Sequence, residues 1–335
     1  MGFYEQRLPE LYRDDCFFFT GDREKYSVND LSLKHFPKGL LNSIIFYVLF
    51  SIKAYQADKI ILHGLFEKKV LYALFLQPWL LKKCAWMIWG NDLYVYRKNR
   101  GNKKKRKLER IRRFVIKRFG YLVTYVKGDV ALAREWYGAT GKHVHCILYT
   151  SNVFEERDLQ REDSPTINVQ VGNSADPSNA HEPVLEGLSR IHSDVDFHVY
   201  APLSYGNQKH ADCIEQKGKD LLGKRFTAMR NFMPIDEYYS FLANIDVAIF
   251  NHDRQQGMGN IINLLGLRKK VFMRSDVTSW TILKELGLHV YDVASLDLTT
   301  FNSAELNENY RIITKNFSKD ALAEQLNVLL GTNNK

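Results

Sequence analysis

Apolar residues fall along this chain in short runs such as Ile167-Asn-Val-Gln-Val171 and Asp246-Val-Ala-Ile-Phe250, separated by stretches with apolar positions three or four apart. The short runs predict strands at 16–20, 59–63, 85–89, 121–125 and 143–148. A second set is predicted at 166–171, 195–200, 226–230, 246–250, 270–273 and 288–291. Helical patterns lie between them, for example at 178–192, 234–244 and 257–267, and Pro234 and Asp236 suit the start of the second of these. Strand and helix in alternation predict an α/β protein with parallel sheets covered on both faces.

The periodicity lapses between Ser151 and Pro165. The expected division is therefore an N-terminal domain over 1–150, a linker over 151–165 and a C-terminal domain over 166–335. A length of 335 residues suits two cores better than one. Residues 2–12 read as the tail of a helix leading into Cys16-Phe-Phe-Phe-Thr20. No strand precedes them, so the first strand of the N-terminal domain is expected to be missing. The end, Gly331 to Lys335, is expected to fray.

Charge sharpens the picture in one place. The formal net charge is +9, yet residues 97–118 hold 13 Lys/Arg against the single acid Glu109, and the rest of the chain is slightly acidic. The second part of this run is helical in pattern, with Leu108, Ile111, Val115 and Phe119 on one face. Lys103, Lys104, Lys105, Arg106, Lys107, Arg110, Arg112 and Arg113 are the candidate contacts to an anionic membrane, each contributing about 1 kcal/mol at such a surface. Nucleic acid would attract the same patch. No recognition motif and no interleaved stacking aromatics accompany it, so nucleic acid is not the expected partner. Cys16, Cys84, Cys146 and Cys213 form no C-x-x-C pair, which argues against a zinc site or disulfide scaffold and for a reducing cytosol. The longest apolar run, Leu40 to Ile52, is too short to span a bilayer, and Met1 to Arg7 lacks the apolar core of a signal peptide.

Chemistry in parallel α/β sheets gathers beyond the carboxyl ends of the strands. There the chain places His63-Gly64, then Gly90-Asn-Asp92, then Gly172-Asn-Ser174, then Asp253-Arg-Gln-Gln-Gly257. Arg254 offers a planar fork to a diphosphate, and Gln255 and Gln256 offer amides to hydroxyls or a base. Gly257 and Gly259 permit close backbone approach at a helix start, whose dipole favours an anion. Asp92 is the first candidate for a catalytic base and His63 the second. The alternatives are a helix cap for Asp92 and a structural hydrogen-bonder for His63. Asp194-Val-Asp196 matches a metal-binding pattern but lies at the wrong end of a strand, so no metal site and no cofactor are expected.

Five pieces occur in order over about residues 10–290: His63-Gly-Leu-Phe66, Trp89-Gly-Asn-Asp-Leu-Tyr94, Val171-Gly-Asn-Ser174 with Ser178, Asn179 and His181, the Tyr205-Gly206 turn, and Arg254-Gln-Gln-Gly257 with Gly259. With these the chain resembles the bacterial 4-acetamido-4,6-dideoxy-D-galactose (Fuc4NAc) transferases of enterobacterial common antigen assembly. The resemblance implies a GT-B architecture, two Rossmann-like domains facing across a cleft. It also implies transfer from a dTDP-sugar to an undecaprenyl-diphosphate-linked saccharide at the inner face of the cytoplasmic membrane. By that match Gly172, Asn173, Ser174, Asn179, Tyr205, Gly206 and Arg254 to Gly257 with Gly259 bind the donor, and Asp92 and His63 belong to the catalytic cleft. Pro177, Asn260 and the strongly basic run at 97–107 depart from the family pattern, which leaves room for a UDP- or other sugar donor in O-antigen or capsule synthesis. The reading outside this class is a nonenzymatic nucleotide- or RNA-binding protein.

Overall fold

The computed structural model describes residues 18–20, 33–35, 40–161, 164–191 and 195–331. Short parallel strands β1 (Phe18–Thr20) and β2 (Leu33–His35) pair with each other. The predicted helical tail at 2–12 lies outside the described residues. Contacts divide the chain into two compact units, Met1–Thr150 with Ala323–Lys335, and Ser151–Leu322.

In the first unit, helix α1 (Leu40–Gln56) precedes β3 (Ile60–His63), α2 (Lys68–Leu76) and β4 (Cys84–Met87). Then come α3 (Asn91–Asn99), α4 (Arg106–Lys117), β5 (Tyr121–Val123), α5 (Lys127–Tyr137) and β6 (Lys142–Val144). The four strands lie side by side in chain order, all parallel. Helix α1 packs on α2, α2 on α4 and α4 on α5, enclosing Leu74, Leu80, Trp86, Val115, Phe119 and Leu122. Strand β4 is buried along its whole length, as expected of a central parallel strand.

The second unit runs β7 (Ile167–Val171), α6 (His181–Ser189), β8 (Phe197–Pro202), α7 (Gln208–Leu222), β9 (Phe226–Met229) and α8 (Ile235–Asn244). It continues with β10 (Val247–Phe250), α9 (Met258–Gly266), β11 (Lys270–Met273), α10 (Thr278–Glu285), β12 (Tyr291–Asp292) and α11 (Ser303–Asn316). The sheet order is β12-β11-β10-β7-β8-β9, all parallel. From β7 the chain winds outward to one side, then returns to β10 and winds outward to the other. The chain thus leaves β7 and β10 toward opposite sides of the sheet, and the edge where the winding reverses is the place where such sheets take ligands.

Several element boundaries differ from the sequence expectation: the strand expected at 143–148 is Lys142–Val144, and the one expected at 288–291 is Tyr291–Asp292. The helix expected at 178–192 begins only at His181, because Pro177–Asn179 form a tight 3-10 turn that Asp176 caps through the Ser178 amide at 2.9 Å. The last helix, α12 (Lys319–Leu330), starts in the second unit and ends in the first. Its Gln325 side chain accepts from the Ile147 amide at 2.8 Å, and the Lys59 ammonium reaches the Leu329 carbonyl. Its buried Leu326 and Leu329 have a helical spacing that carries no information about which core receives them.

Candidate active site

The turns after β7 and β10 are sewn together. Asn179 Oδ1 accepts from the Asn173 amide at 2.8 Å and lies 3.1 Å from His252 Nε2. The Asp253 amide donates to the Ser178 carbonyl at 3.1 Å, and the Asn251 side chain donates to the Ala180 carbonyl at 3.0 Å. The Ser178 hydroxyl sits 2.7 Å from Asp176 Oδ1 and 2.5 Å from Gln256 Oε1. Tyr205 comes from the loop after β8 and its hydroxyl accepts from the Asn173 side chain at 2.9 Å. That loop is held by paired backbone bonds between Ala175 and the residues flanking Gly206. A Cβ on Gly206 would lie 2.8 Å from the Ala175 carbonyl carbon, so the approach needs glycine.

Glycine is required at the two turns for the same reason. Gly172 has φ +69°, and a Cβ there would stand 2.6 Å from His181 Nε2. Gly257 has φ +65° at the start of α9, and a Cβ there would stand 2.8 Å from His252 Cε1. Gly259 differs: a Cβ there would stand 2.5 Å from the Ser151 carbonyl oxygen, so its close approach is to the chain itself.

Polar atoms collect at this edge beyond the number the protein satisfies. Asn173 Oδ1, Gln255 Oε1 and both ring nitrogens of His181 are buried with no hydrogen-bond partner among the described residues. Buried polar groups in native proteins are nearly always paired, so these atoms call for a water or a polar ligand and make this edge the candidate site. Arg254 is almost buried, donates to the Gln255 carbonyl at 3.1 Å and stands 3.8 Å from Asp176. Burial lowers the pKa of His252 to about 3 and of His181 to about 4, with neighbouring Arg254 and His210 respectively adding in the same direction. Both rings are neutral at pH 7, leaving Arg254 to carry the positive charge.

In the first unit, Asp92 lies in the first turn of α3 and is 0% exposed. Its Oδ2 accepts from Trp86 Nε1 at 2.6 Å and the Leu65 amide at 2.9 Å, and its Oδ1 from the Trp89 and Leu93 amides at 2.9 and 3.0 Å. Burial pushes its pKa up, while the Trp86, Leu65 and Trp89 donors and the Arg112 charge pull it down. Four N–H donors fill the lone pairs of a carboxylate. The expected base is thus turned inward, where it ties β4 to the turn following β3. His63, at the carboxyl end of β3, keeps exposed surface, and the surrounding protein lowers its pKa to about 4 through desolvation. The next residues are Gly64, with φ +73°, and Phe66, whose ring packs edge-on to Trp89.

Lys103, Lys104, Lys105, Arg106, Lys107, Arg110 and Arg113 are exposed on α4 and the turn before it. Arg112, grouped with them in the sequence, is not a surface residue: it is 6% exposed and donates to the Leu65 carbonyl at 3.0 Å. It neutralises the neighbourhood of Asp92. Sequence reasoning also gave no role to His252 or Asp176, which hold the second unit's turns; their one signal is a place within a few residues of a strand end. Asp196 precedes β8 at the far edge of the sheet and accepts from Thr166, while Asp194 lies outside the described residues. Among the described residues no three His, Cys, Asp or Glu side chains form a metal-ligand group.

Over residues 4–306 the chain matches the family model described as 4-alpha-L-fucosyltransferase, glycosyl transferase group 56. Its structure is similar to that of Anabaena HepE in complex with UDP and glucose, with a TM-score of 0.65 at 11% identity, covering 90% of this chain and 86% of that one. Sucrose-phosphate synthase from Thermosynechococcus elongatus gives 0.61 at 12% identity over 88% and 78% of the two chains. A structure described as trehalose-6-phosphate from E. coli bound with UDP-2-fluoro glucose gives 0.58 at 10% identity over 87% and 77%. At these identities the likeness concerns the fold, which is GT-B.

Proposed function

The chain belongs to the 4-alpha-L-fucosyltransferase family, glycosyl transferase group 56, and is a glycosyltransferase; from that premise we propose that it moves a deoxyamino sugar from a dTDP-sugar to a polyprenyl-diphosphate-linked saccharide. Donor binding belongs to the second unit. The observation that carries this is the knot between Asn173, Asn179 and His252 at the point where the sheet order reverses, with Arg254 beside it. The structural relatives described with UDP or a UDP-sugar support a nucleotide sugar as the donor. Arg254 exchanges its 3.8 Å contact with Asp176 for the donor diphosphate, a doubly held and more strongly charged partner. The first turn of α9, opened by Gly257, adds amide groups and the positive end of its dipole as the diphosphate leaves.

On the acceptor side His63 takes the role of base and Asp92 that of a positioning group. His63 stands at the carboxyl end of β3 with surface exposed, whereas a carboxylate already holding four N–H donors has no lone pair to offer. In this reading the exposed bases Lys103, Lys104, Lys105, Arg106, Lys107, Arg110 and Arg113 hold the enzyme at an anionic membrane, on the cytoplasmic face where such acceptors are glycosylated.

A panel of dTDP- and UDP-sugars offered with a polyprenyl-diphosphate saccharide, read by mass spectrometry, tests the proposal. It predicts one added deoxyamino sugar with dTDP as by-product. Transfer from UDP-hexoses alone would replace the donor assignment, and transfer only to soluble sugars would remove the lipid acceptor.

A further inference from the structure

Helix α1 is apolar on two opposite sides. Phe46, Phe50 and Ala54 face the core of the first unit. Leu41, Ile44, Ile45, Val48, Ile52 and Tyr55 recur at helical spacing on the other side and are exposed, Leu41 by 70% and Tyr55 by 71%. An exposed apolar face of this length, opposite the face that meets the core, calls for a second apolar partner. The neighbouring segment extends the patch: Gln77 donates to the Ser51 hydroxyl at 2.8 Å, bringing up Leu76 and Trp79, which are 69% and 62% exposed. Lys83 donates to the carbonyls of Tyr55 and Ala57, both at 2.8 Å, closing the end of α1 with a cation.

Charge selects the occupant. Residues 40–118 contain 19 Lys/Arg and four acids, and one of those acids, Asp92, is buried. Two copies meeting through this unit would repel each other, whereas an anionic bilayer offers apolar depth and negative headgroups together. Trp and Tyr flanked by Lys is the composition found at the membrane–water interface. At 17 residues α1 is about 25 Å long, and no helix among the described residues is long and apolar enough to cross a membrane, so it can lie in the interface plane.

We propose that the outer face of α1, with Leu76 and Trp79, inserts into the headgroup region of an anionic bilayer. The basic residues on and before α4, which the same row of packed helices carries, attract the surface; α1 supplies the salt-resistant grip. This rests on the membrane residence proposed above and adds a different element to it.

The test is co-sedimentation of the full chain with phosphatidylethanolamine–phosphatidylglycerol vesicles at low and high salt, with far-UV circular dichroism of every variant. The double variant Val48→Glu/Ile52→Glu, both exposed sites, should lose at least tenfold in binding at both salts while keeping its helix content and its transfer to a short-chain, water-soluble acceptor. The milder Ile45→Ser should weaken binding in the same direction. Charge reversal at Lys103, Lys104 and Lys105 should weaken binding at low salt only. Wild-type retention by Val48→Glu/Ile52→Glu, with charge reversal still effective, would overturn the α1 proposal and leave basic attraction standing. No vesicle binding by the wild-type chain would overturn both. Light scattering that finds a dimer broken by Val48→Glu/Ile52→Glu would assign the face to a second copy.

Discussion

The side-chain oxygen of Asn179 lies 3.1 Å from Nε2 of His252, joining the turn after β7 to the turn after β10 where the second sheet reverses its winding. The same oxygen takes the Asn173 amide at 2.8 Å, so one atom fixes three segments of the candidate donor site. Asn179→Ala should lower donor affinity by about 10- to 100-fold, the equivalent of one or two net hydrogen bonds, with a smaller effect on kcat at saturating donor. Steady-state KM and kcat for the donor check it.

The two buried histidines give a pH dependence with a definite sign. His252 and His181 titrate near 3 and 4 when folded and near 6.5 when unfolded, so the unfolded chain binds more protons between those values. Their contribution is intact above pH 6.5 and is lost as pH falls toward 4, at about 1.4 kcal/mol per pH unit for each ring. Asp92, raised by burial, works in the opposite sense. Urea unfolding of the second unit between pH 7 and pH 5 should show the decline, and His181→Gln should roughly halve the slope.

Gly257 and Gly138 share a left-handed backbone, at φ 65°, ψ 19° and φ 70°, ψ 29°. An alanine at Gly138 would meet only the Lys117 side chain at 3.9 Å, whereas one at Gly257 would meet His252 at 2.8 Å. Both substitutions carry about 1–2 kcal/mol of backbone strain. Gly257→Ala should cost about 1–3 kcal/mol more through overpacking, and should raise donor KM as well. Each is read on the unfolding transition of its own unit.

Asp92 and His63 should part company under mutation. Asp92→Asn turns an amide toward four N–H donors and leaves buried donors without an acceptor, for a loss of about 1–3 kcal/mol in stability. His63→Ala should cost less stability than Asp92→Asn and reduce kcat by about 10²- to 10⁴-fold. Unfolding curves and kcat, measured on both variants, decide the assignment.

Most strands were legible because a buried parallel strand such as Val247–Phe250 is an uninterrupted apolar run between polar turns. The turns after β7 and β10 were legible too, since Gly172 follows one such run at once and Arg254 to Gly257 lie within a few residues of another. What spacing could not reveal is which distant groups meet. Asp92 reads as a base or a cap until Leu65 and Trp86 are seen to converge on it. Arg112 reads as one more surface base until its carbonyl partner, 47 residues away, is in place. The outer face of α1 was hidden for the converse reason: Leu40 to Ile52 reads only as an apolar run too short to span a bilayer, because hydrophobicity alone does not say which of its residues a core covers.

The central claim is that the reversal point of the second sheet grips a sugar-nucleotide diphosphate through Arg254. Calorimetric titration of dTDP into the wild-type chain and into Arg254→Ala, with matched circular dichroism, measures it directly. Loss of a charge-assisted contact worth about 2–3 kcal/mol predicts affinity reduced by about 30- to 150-fold in a folded variant. Equal affinity in the two proteins would contradict the account.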